Sequence, residues 1–200
     1  MQEVRVSHIC KSYGTHVVFH DLSLVIPQNG ITCIMAPSGA GKTTLLRILM
    51  GLEKPDEGRI EGLEGKKCSA VFQEPRLCEN LSALTNIRMV RRKKFWEKWA
   101  QDFEQISKLM GKVGLSGWER QPVKEMSGGM RQRVALLRAL YATWDILFLD
   151  EPFHGLDQNC LDQAMDVTKQ LCAGKTVILV THSIKEAQEM GNIIELPISQ

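Results

Sequence analysis

The feature that most restricts this chain is residues 36–44, APSGAGKTT, set between an apolar run at 30–35 (GITCIM) and another at 45–50 (LLRILM). The first run has the length and continuous apolarity of a buried strand, and the second reads as the opening of a helix. Strand, glycine-bearing turn and helix together make a cradle for phosphate. Gly39 and Gly41 carry no side chains, so successive backbone N–H groups can converge on anionic oxygens while the helix N-terminus adds partial positive charge. Lys42 supplies a mobile full charge for terminal phosphates, and the Thr43 hydroxyl suits a magnesium ion. The stretch predicts a nucleoside triphosphate site. Ala36 stands where the full motif has glycine, and its Cβ fits the loop only if the backbone keeps an ordinary φ.

A chain of 200 residues with 44% hydrophobic content supports one domain with a sizeable core and room for an inserted subdomain. A net charge of +2 gives no electrostatic footprint for nucleic acid, and no such partner is expected. The cysteines at 10, 33, 68, 78, 160 and 172 lie far apart without a C-x-x-C pair, several of them inside apolar runs. That is the usage of a reduced cytoplasmic protein, not of a disulfide or zinc framework. The opening MQEVRVSHI has no signal-peptide core, and no run approaches the ~18 apolar residues of a membrane span. A role at a membrane would leave the crossing to other chains.

Residues 4–9 (VRVSHI) and 22–26 (LSLVI) alternate as strands, with Tyr13 at the tip of a turn between them. A tyrosine at a strand end is commonly plain packing, although its flat face also suits a purine base. Gly51 reads as a helix stop, and short strands are expected at 59–61 and 69–72, the latter delivering Gln73 to a strand end. From 76 to about 125 the texture turns helical and charged. Phe95, Trp96, Trp99, Phe103, Ile106 and Met110 recur at helical spacing as an apolar packing stripe. Arg88, Arg91, Arg92, Lys93, Lys94 and Lys98 read as a solvated basic face. The region is an expected helical subdomain, inserted over approximately 76–130.

Residues 126–130 (MSGGM) open an amphipathic helix over 131–141, with Ser127 as its N-cap. Paired glycines at a helix N-terminus form a second anion-receptive nest, and one nucleotide does not easily need both nests from one copy. The apolar strand ILFL (146–149) ends in Asp150-Glu151-Pro152. Adjacent carboxylates at a buried strand end repel and are poorly solvated unless a cation and a proton-accepting role justify them. Asp150 suits magnesium through its water shell, and Glu151 suits polarisation of an attacking water. The strand TVILV (176–180) leads to Thr181-His182-Ser183 before a helix over 184–190. His182 there could contact a γ-phosphate or serve the structure.

In this order and spacing the segments resemble the ATP-binding-cassette (ABC) ATPase family, over essentially the whole chain. The matching pieces are the phosphate loop at 36–44, Gln73 in QEP, SGG at 127–129 before RQRVALLRAL, ILFLDEP at 146–152, GLD at 155–157 and TH at 181–182. The stretch VFQEPRLCENLSALTNI is most similar to the nitrate/sulfonate/taurine type of importer ATPase. The resemblance implies an α/β fold over 1–200: a P-loop NTPase core with a mixed sheet, an N-terminal antiparallel β subdomain and the inserted α-helical subdomain. It implies that Tyr13 stacks on the adenine of ATP, and that Ser38, Gly39, Ala40, Gly41, Lys42, Thr43 and Thr44 hold the phosphates. Thr43, Gln73 and Asp150 are the implied ligands of Mg2+. Glu151 is the implied catalytic base, with Gln73 and His182 completing the catalytic set, and Asp157 lies in a loop that communicates across a dimer.

Ser127, Gly128 and Gly129 are expected at the γ-phosphate of a second copy's ATP in a head-to-tail homodimer, which accounts for the two nests. Such a dimer would drive solute transport, in the import direction, through separate membrane-spanning permease subunits. It would sit peripherally on the cytoplasmic face of the membrane, with a solute-binding protein in the complex. Met126 and Met130 replace the family's common leucine and glutamine, so altered packing is expected there. An exporter or non-transport ATPase, a degenerate regulatory cassette and a small-molecule kinase are the alternatives. Intact Lys42, Asp150, Glu151 and His182 argue against the degenerate cassette, and the acidic pair with the SGG helix argues against the kinase.

Overall fold

The computed structural model describes residues 3–91 and 99–196. Phe95, Trp96, Arg92, Lys93, Lys94 and Lys98 lie outside them, as does the side chain of Trp99. The chain runs β1 (Val4–Tyr13), β2 (His16–Ile26), β3 (Ile31–Met35), α1 (Lys42–Leu49), β4 (Glu57–Glu61), β5 (Cys68–Val71), α2 (Ala83–Arg88) and α3 (Trp99–Lys112). A 3-10 turn (Val123–Glu125) precedes α4 (Gly128–Tyr141), β6 (Ile146–Asp150), α5 (Gln158–Cys172), β7 (Thr176–Thr181), α6 (Ile184–Met190) and β8 (Asn192–Glu195). One compact unit comprises the described residues of Met1–Cys68, Asp145–Asp150 and Ala173–Gln200; the other comprises those of Ser69–Trp144 and Glu151–Cys172.

In the first unit, β2, β1 and β4 form an antiparallel sheet in that order. The hairpin strands are longer than their alternation predicts, and Tyr13 is the last paired residue of β1, opposite His16, not a turn residue. The pairing shifts register between Val6 and Ile9 and again before Lys11, and His8 (φ 55) and Asp21 (φ 60) take left-handed backbone. A bulge adds an unpaired residue and breaks the two-residue period, which hides the strand from a pattern reading. The strands β6, β7, β3 and β8 follow one another in a parallel sheet. Every residue of ILFLD in β6 and of TVILVT in β7 is buried, as continuous apolar runs in a sheet covered on both faces require. Met35 lies opposite Thr181 and Asp150 opposite Val180. The C-terminal ends of β3, β6 and β7 therefore finish along one edge, where open parallel sheets place their ligands.

In the second unit, Ile106, Met110, Val134, Leu136 and Leu137 are fully buried, in keeping with the packing role of the stripe. The basic residues are another matter: Arg88 and Arg91 are not a solvated face. Arg88 Nε lies 3.3 Å from Asp102 Oδ2, with side chains 12% and 3% exposed, and Tyr141 OH donates to Asp102 Oδ1 at 3.0 Å. Arg91 Nε donates to the Tyr141 carbonyl at 2.7 Å, its guanidinium 3.8 Å from the Tyr141 ring centroid. Long basic side chains can bury their stems against a neighbour and pair at the tip. Helix α5 lies where no sequence motif predicts an element. Asp157 starts it, accepting the Cys160 N–H at 3.0 Å.

Candidate nucleotide site

In the first unit β3 delivers the chain to Ala36, which is absent from the non-glycine residues at positive φ (His8, Asp21, Asn29 and Glu151). Its Cβ is therefore compatible with the loop. Gly39 has φ 83, and Gly41, with φ 84, is the N-cap of α1. A Cβ on Gly41 would meet Val18 Cγ1 at 2.4 Å and Phe19 Cζ at 2.8 Å, so glycine is needed there for space as well as for conformation. The Ala40 N–H donates to the Pro37 carbonyl at 3.2 Å and tightens the turn. Lys42 is 7% exposed and folds back across the loop, donating from Nζ to the carbonyls of Ala36 (2.7 Å) and Pro37 (3.0 Å). Ser38 and Thr43 are exposed, Ala40 and Thr44 half-buried. No acidic residue lies in the first turn of α1, so nothing on the helix offsets its positive end.

Along the same sheet edge stand Asp150, 3% exposed at the end of β6, and His182, exposed just beyond β7. The turn carrying His182 is built by its neighbours. The Thr181 hydroxyl donates to Glu186 at 2.5 Å and accepts the Ser183 N–H at 3.0 Å, while Ser183 Oγ caps α6 through the Glu186 N–H at 3.3 Å. The Ser-x-x-Glu pattern of a capping box was the available signal for this turn.

Tyr13 is 49% exposed, and its hydroxyl donates to Glu53. Glu53 also pairs with Arg47 Nε of α1 at 3.2 Å and with Lys11 Nζ at 3.3 Å. The Tyr13 hydrogen bond is the main reason the Glu53 carboxyl is held below the usual range. The tyrosine is thus tied to the helix that the phosphate loop begins, through a residue, Glu53, that belongs to none of the sequence motifs.

The second unit carries the other expected residues. Gln73 is exposed just beyond β5. Ser127 caps α4, accepting the Met130 N–H at 3.3 Å, and the first turn of α4 also lacks an acidic residue. Gly128 is exposed, Gly129 half-buried, and Met126 is 6% exposed. A Cβ on Gly129 would lie 3.3 Å from the Gly155 carbonyl oxygen, so the loop of residues 153–157 runs against Gly129. Glu151 has φ 46, a left-handed conformation that costs free energy for any residue with a Cβ. His154 Nδ1 lies 3.8 Å from Glu151 Oε2. The Cys160 N–H bond that makes Asp157 the cap of α5 also lowers the Asp157 pKa. Among the described residues no helix is long and apolar enough to cross a membrane.

A parallel sheet with a phosphate loop after one strand and an acidic pair after another defines a nucleotide-hydrolysing α/β protein. Residues 19–154 match the family described as ABC transporter. The chain is 40% identical over 187 residues to the aliphatic sulfonates import ATP-binding protein SsuB 2 of Pseudomonas syringae pv. tomato, spanning 92% of this chain and 77% of that protein. The dimeric structure of a bacterial ABC transporter cassette is similar at a TM-score of 0.84 and 27% identity, covering 96% of this chain and 94% of the cassette. A dimer of that cassette in a post-hydrolysis state, bound to ADP and Pi, is similar at a TM-score of 0.83 and 28% identity, with the same coverage. The chain belongs to the ABC transporter family, as its ATP-binding, ATP-hydrolysing cassette.

Proposed function

We propose that this cassette drives solute import through separate membrane-spanning permease subunits, bound peripherally at the cytoplasmic face, for a solute of the nitrate/sulfonate/taurine kind. The likeness to a sulfonate importer's ATP-binding protein supports the import direction and the solute class. A solute-binding protein completes such a complex. The observation that carries the ATPase reading is Lys42, buried in its own loop with Nζ on two loop carbonyls at the positive end of α1. A triphosphate entering that loop offers the ammonium anionic oxygens in place of carbonyls, together with the N–H groups of residues 39–44.

In this reading Tyr13 stacks on adenine, and Ser38, Gly39, Ala40, Gly41, Lys42, Thr43 and Thr44 hold the phosphates. Thr43, Gln73 and Asp150 would hold Mg2+, which supplies charge neutralisation on the β- and γ-phosphate oxygens. A hydroxyl, an amide oxygen and one carboxylate form the hard-oxygen set that magnesium takes alongside its waters. Glu151 accepts a proton from the attacking water as its oxygen bonds to the γ-phosphorus, and the bond to the bridging oxygen breaks to leave ADP and phosphate. His182 donates to the γ-phosphate, and Gln73 orients the water.

The Ser127 hydroxyl and the N–H groups of Gly128 and Gly129 bind the γ-phosphate of the partner copy's ATP in a head-to-tail dimer. Asp157 lies in the loop that communicates between the two sites, and the helical insertion over approximately 76–130 passes opening and closing to the permease. Glu151→Gln tests the scheme. We expect hydrolysis to fall at least about 100-fold while ATP binding persists and the variant elutes as an ATP-dependent dimer. Unchanged hydrolysis would refute the assignment of the base.

A further inference from the structure

Glu151 adopts φ 46, and a non-glycine residue holds such backbone only where its surroundings over-determine it. The left-handed residue ends the extended run of β6 at Asp150, so strand alternation does not aim the Glu151 side chain. Its pose depends on what fixes the turn that follows. The Glu151 carbonyl accepts the His154 N–H at 3.2 Å, and the side-chain amide of Gln132 donates to the same carbonyl at 3.4 Å and to that of Pro152 at 3.2 Å.

Gln132 is 3% exposed, and a buried amide without partners is costly. Its donors are committed to these carbonyls. One turn earlier on α4, Gly129 packs against Gly155 and Leu156. A single face of the signature helix therefore supports the segment of residues 151–156 at two places.

We infer that Gln132 is a positioning residue for the catalytic base: from within α4 it holds Glu151 in the left-handed turn from which that carboxylate meets the attacking water. The inference rests on Glu151 being the base.

The test is Gln132→Leu in the full chain, which keeps the bulk and removes the donors. We expect kcat to fall about tenfold, with KM for ATP and equilibrium ATP affinity within about twofold. Gln132→Glu, which turns the donor into an acceptor, gives the same loss should leucine impair folding. Leu136→Ala on the same helix, fully buried, controls for stability: it lowers the melting midpoint and leaves the kcat of the folded enzyme in place. Wild-type kcat in both Gln132 variants, or an equal kcat loss in Leu136→Ala, overturns the inference. Full activity in Glu151→Gln overturns the base assignment and the inference with it, whereas an inactive Glu151→Gln beside fully active Gln132 variants overturns the inference alone.

Discussion

Alanine at Gly41 and alanine at Gly39 should have different consequences, although the two glycines share one loop and almost one conformation. Both lie at positive φ, 83° and 84°, so a Cβ at either position costs about 1 kcal/mol in backbone strain. The space around them differs. Nothing lies within 4 Å of a Cβ built on Gly39, whereas one on Gly41 would meet Val18 Cγ1 at 2.4 Å and Phe19 Cζ at 2.8 Å. Val18 and Phe19 are buried in β2 and have little room to retreat, and overpacking of this kind costs about 1–3 kcal/mol. Gly39→Ala should therefore lose about 1 kcal/mol and Gly41→Ala about 2–4 kcal/mol. Thermal unfolding without nucleotide should separate their midpoints by about 2–12 °C for a chain of this size. Adding Val18→Ala removes the nearest methyl and should recover part of the Gly41→Ala loss, with a coupling of at least about 0.5 kcal/mol. Equal destabilisation by the two alanines, or no coupling to Val18, would refute the steric reasoning.

Asp102→Ala removes both the carboxylate that pairs with Arg88 and the acceptor of the Tyr141 hydroxyl, and should cost more in urea unfolding than Tyr141→Phe, which removes one hydrogen bond worth about 1 kcal/mol. Similar losses would show that the ion pair is not the centre of that cluster. The Tyr13–Glu53 contact should respond to acid. A carboxyl whose folded pKa is depressed stabilises fully above its unfolded value, and that contribution is lost as pH falls through the folded pKa. An acid titration should therefore release Tyr13 only at a pH below the ordinary glutamate range, read by its fluorescence. Tyr13→Phe should raise the Glu53 pKa, since the tyrosine hydroxyl is the main cause of its depression, and an NMR titration with no change would rule that cause out. Lys11 runs the opposite way. Burial pulls its pKa down but is outweighed by Asp56 and Glu53, so the net shift is upward and its contribution is lost only as pH rises through that raised value.

What could be read in the sequence follows from how local each signal is. The strands β3, β6 and β7 are short apolar runs buried in a parallel sheet, and Lys42, Asp150, Glu151 and His182 stand at or just past their ends in chain order. The alternation marks only part of the β1–β2 hairpin because bulges at His8 and Asp21 interrupt it. Helix α5 is hard to read in the sequence because part of its buried face is made by Ala164, Thr168 and Cys172, small or polar residues that add little to an apolar stripe. Arg88 and Arg91 read as a solvated face because nothing in a run of like charges reveals partners 14 and 50 residues away.

The same distinction divides the site. The groups expected to touch nucleotide stand in short ordered motifs, but two of their poses are set from afar, Tyr13 by Glu53 across 40 residues and Glu151 by Gln132 across 19. A motif therefore specifies which groups are available, and distant side chains specify where two of them point. It follows that substitutions at Glu53 and Gln132 should separate in their effects although neither alters a motif residue. Under the roles proposed for Tyr13 and Glu151, the first would act through the aromatic ring, and so on ATP affinity, and the second through the base, and so on turnover. A loss of turnover without loss of affinity at Glu53, or the reverse at Gln132, would break that link between tether and role.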